Sequence, residues 1–249
     1  MKRRALVVSG LGAAGALVVG WGLLPPRDRL GAVDALPVED GEVSLNGWIK
    51  IAADGAVMLA MNRSEMGQGT HTALAMLVAE ELDVALARVR LVPAGADRLY
   101  GNVATMVASL PYFHPRESEP GHETTPVRAG QWVVAKVARE LGINVTGGSS
   151  SVVDAWDVLR IAAATARARL VGAASIAWKQ PVRELVVNDG VVSHAAGGSA
   201  HYGELARMAA ATPTGEVRLK RREEWRLIGT AAPRIDAVAK SDGSARFGI

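Results

Sequence analysis

Twice along this chain a glycine-rich turn runs straight into a stretch with helical apolar spacing. Gly67-Gln68-Gly69-Thr70 precedes Leu74, Leu77, Val78 and Leu82, and Thr146-Gly147-Gly148-Ser149-Ser150-Ser151 precedes Val152, Trp156, Leu159 and Ala163. Apolar residues three and four apart predict a helix from Thr70 to Leu82 and a longer one from Ser151 to near Val171. Each turn then offers backbone N–H groups, hydroxyls and the positive end of a helix dipole. Glycine allows a ligand to approach the backbone closely. Two such termini facing each other would hold a phosphate-bearing ligand without Lys or Arg. Neither string is a Walker loop, since no Gly-Lys-Ser/Thr follows, and neither has the dinucleotide-fold glycine spacing. On spacing alone, plain helix capping outweighs ligand binding. Ser151-Val152-Val153-Asp154 also fits a capping box.

The remaining signals predict an α+β fold. Asp54-Gly55 is a hairpin turn between strand candidates Gly47–Ile51 and Ala56–Met61, and Asn188-Asp189-Gly190 is a second between Glu184–Val187 and Val191–His194. Arg88–Val92 reads as a strand, Pro126–Leu141 as a helix stopped by Gly142, and Tyr202–Ala211 as a short helix. Residues 100–125 read as a long loop, and the tail from Pro233 has strand and turn character. Hairpins and helices that do not strictly alternate define that class. Trp48, Trp132, Trp156, Trp178 and Trp225 read as core residues.

Several chemistries are excluded. The net charge is only +3, and the one dense basic run, Lys220-Arg221-Arg222, is followed at once by Glu223-Glu224. No basic face with interleaved aromatics exists, so the chain has no nucleic-acid signature. It has 0 cysteines, hence no disulfide, thiolate zinc site or iron–sulfur cluster of its own. His71 has no partner at metal-ligand spacing and reads as a packed first-turn residue. His114 and His122, with Glu117, Glu119 and Glu123, fit no metalloprotease pattern. Glu65 reads as a turn or capping carboxylate.

The N-terminus reads as a targeting signal, with a buried core helix as the alternative. Met1-Lys2-Arg3-Arg4 is followed by an uncharged run from Ala5 to Leu24 and then Pro25-Pro26. A basic start before an apolar stretch marks a secretory signal or anchor. The paired arginines point to twin-arginine export of a folded protein. At about 20 residues the run is long enough to span a bilayer. Val33-Asp34-Ala35 offers a small-residue cleavage site, so residues 1–35 are expected to be a signal peptide or membrane anchor with its linker. The protein is expected in the periplasm or on the inner membrane.

The longer strings carry a family resemblance. Ser64-Glu65-Met66-Gly67-Gln68-Gly69-Thr70-His71-Thr72 resembles the Glu-Met-Gly-Gln-Gly-x-x-Thr signature of the xanthine dehydrogenase and aldehyde oxidase family. Thr146 to Ser151 resembles that family's Thr-(Ala/Gly)-(Ala/Gly)-Ser-x-Ser segment. The N-terminal placement behind a signal is similar to the branch of isoquinoline 1-oxidoreductase beta subunits and membrane-associated aldehyde dehydrogenases. The tail, Arg226-Leu227-Ile228-Gly229 and Pro233-Arg234-Ile235-Asp236 to Ile249, resembles entry into a following domain. The resemblance runs from Leu45 onward. It implies a partial molybdopterin-binding domain over 36–232 and the truncated start of the next domain over 233–249. It further implies a molybdenum–molybdopterin cofactor, in the cytosine dinucleotide form, contacted by Gly67, Gln68 and Gly69 beside the metal and by Gly147, Gly148, Ser149 and Ser151 at the pterin and its phosphate. His114 and His122 are then solvated or line the cofactor entrance. The catalytic residue is unknown here, because the family's general-base Glu lies beyond Ile249. The resemblance implies oxidation of aldehydes or N-heterocycles, an iron–sulfur small subunit as partner, and a missing C-terminal half. A non-catalytic exported remnant, or a product of a split gene, is the competing reading.

Overall fold

A computed structural model describes residues 20–22, 24, 28–110, 115–118 and 121–245. Most of the expected signal segment, including Arg3 and Arg4, lies outside the described residues, as do His114, Glu119 and the last four residues. Among the described residues no helix is long and apolar enough to cross a membrane.

Four strands form the first sheet in the order β1 (Val43–Ser44), β2 (Ile49–Ile51), β3 (Val57–Met61) and β4 (Val89–Pro93). The β2–β3 hairpin is antiparallel with Ile51 opposite Val57, and its turn places Gly55 at φ 81° while Asp54 accepts the Ala56 N–H at 2.9 Å. β3 and β4 are parallel, Val57 opposite Val89, so the chain must cross over between them. The crossover is α1 (Thr70–Leu82), with the predicted bounds. Its Leu74, Leu77, Val78 and Leu82 are all buried. Each such side chain contributes about 1.5–3 kcal/mol on leaving water.

The long helix α4 (Ser151–Trp178) lies against α1. Its buried face is mostly alanine (Ala155, Ala162, Ala163, Ala166, Ala173, Ala174) with Leu159 and Leu170. Small side chains let the two helix backbones approach closely. The helix does not stop near Val171, because buried Ala173 and Ala174 carry the face onward to Trp178. Val152 is exposed rather than part of the stripe. The expected capping box is also absent: Ser150 is the N-cap, it makes no side-chain cap bond, and Asp154 is engaged elsewhere.

A second antiparallel sheet holds β5 (Leu185–Asn188), β6 (Val191–His194) and β7 (Ser199–His201), with α5 (Tyr202–Ala211) packed on α4. Asp189 at φ 45° and Gly190 at φ 74° give the left-handed pair that a tight hairpin requires. The Tyr202 hydroxyl donates to the Leu82 carbonyl at 2.7 Å, pinning this unit to the end of α1.

Three further expectations are corrected. Residues 100–125 are not one loop: they contain α2 (Val103–Ala108) and a 3-10 turn at Pro115–Ser118. The first turn of α2 is held by Asn102, which accepts the Thr105 N–H, and by Asp154, contacts that local periodicity cannot reveal. The tail forms a helical turn, α6 (Ala237–Asp242), rather than a strand. Trp48 is core, but Trp132 stands exposed on α3 (Thr125–Leu141), which ends at Gly142 with φ 61°.

Candidate functional site: a cleft between two glycine-rich helix starts

The first string closes on itself. One Glu65 carboxylate oxygen accepts the N–H groups of Gly67 and Gly69, both at 2.9 Å, and the other accepts that of His71 at 3.0 Å. Burial pushes this carboxyl up, but those three N–H groups and Arg234 outweigh it, and its pKa lies below the ordinary carboxylate value. Glu65 is thus the capping carboxylate that the sequence indicates. Gln68 bends back, donating to the Ser64 carbonyl at 2.9 Å and accepting the Met66 N–H at 2.5 Å. Gly67 at φ 98° and Gly69 at φ 79° supply backbone conformations that other residues rarely adopt. The amides at the start of α1 therefore already hold an anion, the protein's own. His71 is a packed first-turn residue, its Nε2 lying 2.9 Å from the Arg63 carbonyl.

The second string differs. The Ser150 hydroxyl donates to the Gly147 carbonyl at 2.7 Å and accepts from Asn102 at 2.7 Å, which folds the turn. Ser149 is held at φ 53° and Gly148 at φ 60°. Among the described residues the Gly147, Gly148 and Ser149 N–H groups donate to no protein acceptor. Gly147 is informative, since its φ is not left-handed and a Cβ there would meet nothing within 4 Å. Neither backbone conformation nor internal packing requires glycine at that position.

The two strings meet. The Ser64 N–H donates to the Thr146 hydroxyl at 2.9 Å, and a cleft of 460 Å³ opens between Met66, Gln68 and Thr70 on one side and Thr146, Gly147, Ser149, Ser151 and Val152 on the other. Gly67, Gly69 and Gly148 lie in the same turns. No charged side chain lines the cleft. Depressions of 450 Å³ around Arg29 and Arg98 and of 670 Å³ around Arg167 and Arg218 contain neither string.

A buried ion cluster, missed by local reading, fixes the two strings. Arg63 directly precedes the first string and Asp154 follows the second, and they bond at 2.6 Å. The same carboxylate binds Arg29 at 2.9 Å and accepts the Val103 and Ala104 N–H groups at 2.9 and 3.1 Å. Burial pulls the Arg63 guanidinium below its usual value, and Asp154 opposes that pull. Arg234, from the tail, also reaches the first string, donating to the Gly67 carbonyl at 2.8 Å and to Glu65 at 3.0 Å. His122 is not gathered into this site, while Glu117 accepts the Thr124 hydroxyl and Glu123 the Gly121 N–H, both at 2.9 Å. Among the described residues no group of three or more His, Asp or Glu could hold a metal ion.

An uncharged cleft with free amides, serine hydroxyls and an unfilled glycine position on one wall fits a phosphate-bearing ligand. A metal in it would need to arrive on such a ligand, since the walls offer no ligand set. The class follows: residues 12–109, which include the first string, match the family described as a molybdopterin cofactor-binding domain. The chain is similar to the molybdopterin-binding large subunits of the xanthine dehydrogenase and aldehyde oxidase family, as the two strings implied. Among its relatives are the isoquinoline 1-oxidoreductase beta subunit of Brevundimonas diminuta, 33% identical over 83% of this chain and 27% of that protein, and membrane-bound aldehyde dehydrogenase [pyrroloquinoline-quinone] of Gluconacetobacter polyoxogenes, 28% identical over 100% and 27%. A nicotinate dehydrogenase subunit of Pseudomonas putida is 25% identical over 95% of this chain and 16% of that protein. The chain therefore spans about a quarter or less of the length of these relatives.

Proposed function

We propose that this chain supplies one wall of the molybdopterin-cofactor site of a molybdenum hydroxylase large subunit acting on aldehydes or N-heterocycles. The observation that carries this reading is the cleft, which joins two strings 82 positions apart through the Ser64–Thr146 bond. The bound cofactor would supply the redox chemistry. Gly147, Gly148, Ser149 and Ser151 would hold its phosphate with N–H groups and hydroxyls, the cytosine dinucleotide form being the one proposed. Gln68 would face the metal end. Its amide keeps one N–H and one lone pair beyond its two loop bonds, enough to meet a polar group in the cleft. Gly67 and Gly69 would shape that wall, their amides being taken by Glu65.

The rest of the active site, including the general base, would lie in sequence outside this chain, with residues 36–232 as the partial domain and 233–249 as the start of the next. An iron–sulfur small subunit is the proposed electron acceptor, consistent with the absence of cysteine and with relatives that are themselves named as subunits. The proposed location is the periplasm or inner membrane after twin-arginine export. Replacing Arg3 and Arg4 with Lys should hold the protein in the cytoplasm, as followed by cell fractionation. Continued export in cells lacking the twin-arginine machinery would overturn that route.

The test of the site is elemental analysis of the complex formed with the remainder of the large chain. Gln68→Ala should keep most of the molybdenum and lose turnover about tenfold to a thousandfold, the range for one preorganised donor. Full turnover in that variant would remove Gln68 from the site. Loading with pyrroloquinoline quinone and no molybdenum would overturn the cofactor assignment.

A further inference from the structure

We propose that α3 lies on a lipid surface, its exposed apolar stripe seated in the membrane interface beside the end of the N-terminal apolar run. The proposal rests on the membrane-side location given above. Trp21, Gly22 and Leu24, the described end of the uncharged run Ala5 to Leu24, touch α3. Residues 20–22 are helical, and the Lys136 ammonium donates to the carbonyls of Trp21, of Gly22 at 3.2 Å and of Leu24 at 2.6 Å. A lysine satisfying the last carbonyls of a helical turn is a C-terminal cap. The same ammonium lies 4.4 Å from the Trp21 ring centre and 4.9 Å from that of Trp132. One cation therefore holds the tryptophan at the end of the run and the tryptophan of α3 together, so both sit at one depth.

From that point α3 presents an apolar face that nothing described covers. Trp132, Val133, Val137 and Leu141 are 40% to 58% exposed. Val133, Val137 and Leu141 recur every fourth residue and share one side of the helix. Of its cations Arg128 is exposed, while Lys136 is buried in its contacts with the end of the run. A strongly amphipathic helix of low overall hydrophobicity carrying Trp beside its apolar face fits a helix lying in the membrane interface. Tryptophan is enriched at the membrane–water interface, the same level. Apolar burial would then add to the hold of the run, and the exposed Arg128 would meet anionic headgroups.

The chain contains 0 cysteines, so single-cysteine variants can be spin-labelled directly. The full chain is placed in vesicles of phosphatidylethanolamine and phosphatidylglycerol, with labels at Val133→Cys, Val137→Cys and Leu141→Cys. A label at Val186→Cys, on the exposed hairpin, is the aqueous control, and one at Leu17→Cys reports the run. The α3 labels should collide with dissolved oxygen more than with a water-soluble nickel chelate, the reverse of Val186→Cys. Nickel-accessible α3 labels would overturn the proposal, as would labels reached by neither reagent, which would mean a protein cover. A lipid signature at Leu17→Cys beside an aqueous one on α3 would sink the proposal alone. An aqueous signature at Leu17→Cys would sink the membrane location with it.

Discussion

At Gly147 the two demands on glycine separate. Its φ is not left-handed and no atom lies within 4 Å of a Cβ built there. Gly147→Ala should leave the folded chain unchanged or up to about 1 kcal/mol more stable, because the unfolded chain loses freedom. It should nevertheless reduce cofactor loading of the complex, since the methyl stands in the cleft. Thermal unfolding of the chain and molybdenum content of the complex measure the two effects, and an unchanged content would exclude close approach at this residue. Glu65 behaves oppositely. Glu65→Ala strips the partner from the Gly67, Gly69 and His71 N–H groups and should cost about 1–3 kcal/mol, read from the denaturant midpoint. The turns at Gly67, Gly69 and Gly148 were legible in sequence because backbone conformation is written locally. The reach of Arg234 to Glu65 was not, because its partners are 169 positions apart.

Among the elements, the hairpins and α1 were legible with nearly their true bounds, since turn residues and helical spacing both act over a few positions. The start of α4 at Ser151 was legible, but its cap was not. Asp154 sits where a capping box predicts a cap, yet two arginines and the N-terminus of α2 claim it. Asp154→Ala leaves Arg29 and Arg63 without their buried counter-charge and should cost about 3–5 kcal/mol in chemical denaturation. A loss near zero would show that the cluster does not fix the two strings. Glu80 on α1 performs a similar task for the tail, accepting the Arg226, Leu227 and Ile228 N–H groups at 2.8, 2.6 and 3.1 Å. Burial pushes its carboxyl up, but these N–H groups and Lys220 outweigh that, so its pKa is lowered. A lowered folded pKa gives stability that is complete above the unfolded value of about 4.3 and is lost as pH falls through the folded one. Acid titration of stability should therefore be shallower in Glu80→Gln than in the parent chain, and equal slopes would remove Glu80 from the account.

At the scale of the whole molecule, the proposed site would be completed by a partner surface. The chain spans 27% of two relatives and 16% of a third. Alone it should retain little or no molybdenum, because only one side of the expected site is present. The α+β class and both glycine-rich helix starts were legible in sequence, but their meeting was not, because it depends on α1 packing against α4 and on a buried ion pair between positions 91 apart. The most direct test of the central claim is an anomalous-difference map, at the molybdenum edge, of the cofactor-loaded complex. It should place molybdenum beside Gln68, with the cofactor phosphate bonded to the amides of Gly147, Gly148 and Ser149. Molybdenum remote from Gln68, with only solvent between the two strings, would contradict the account.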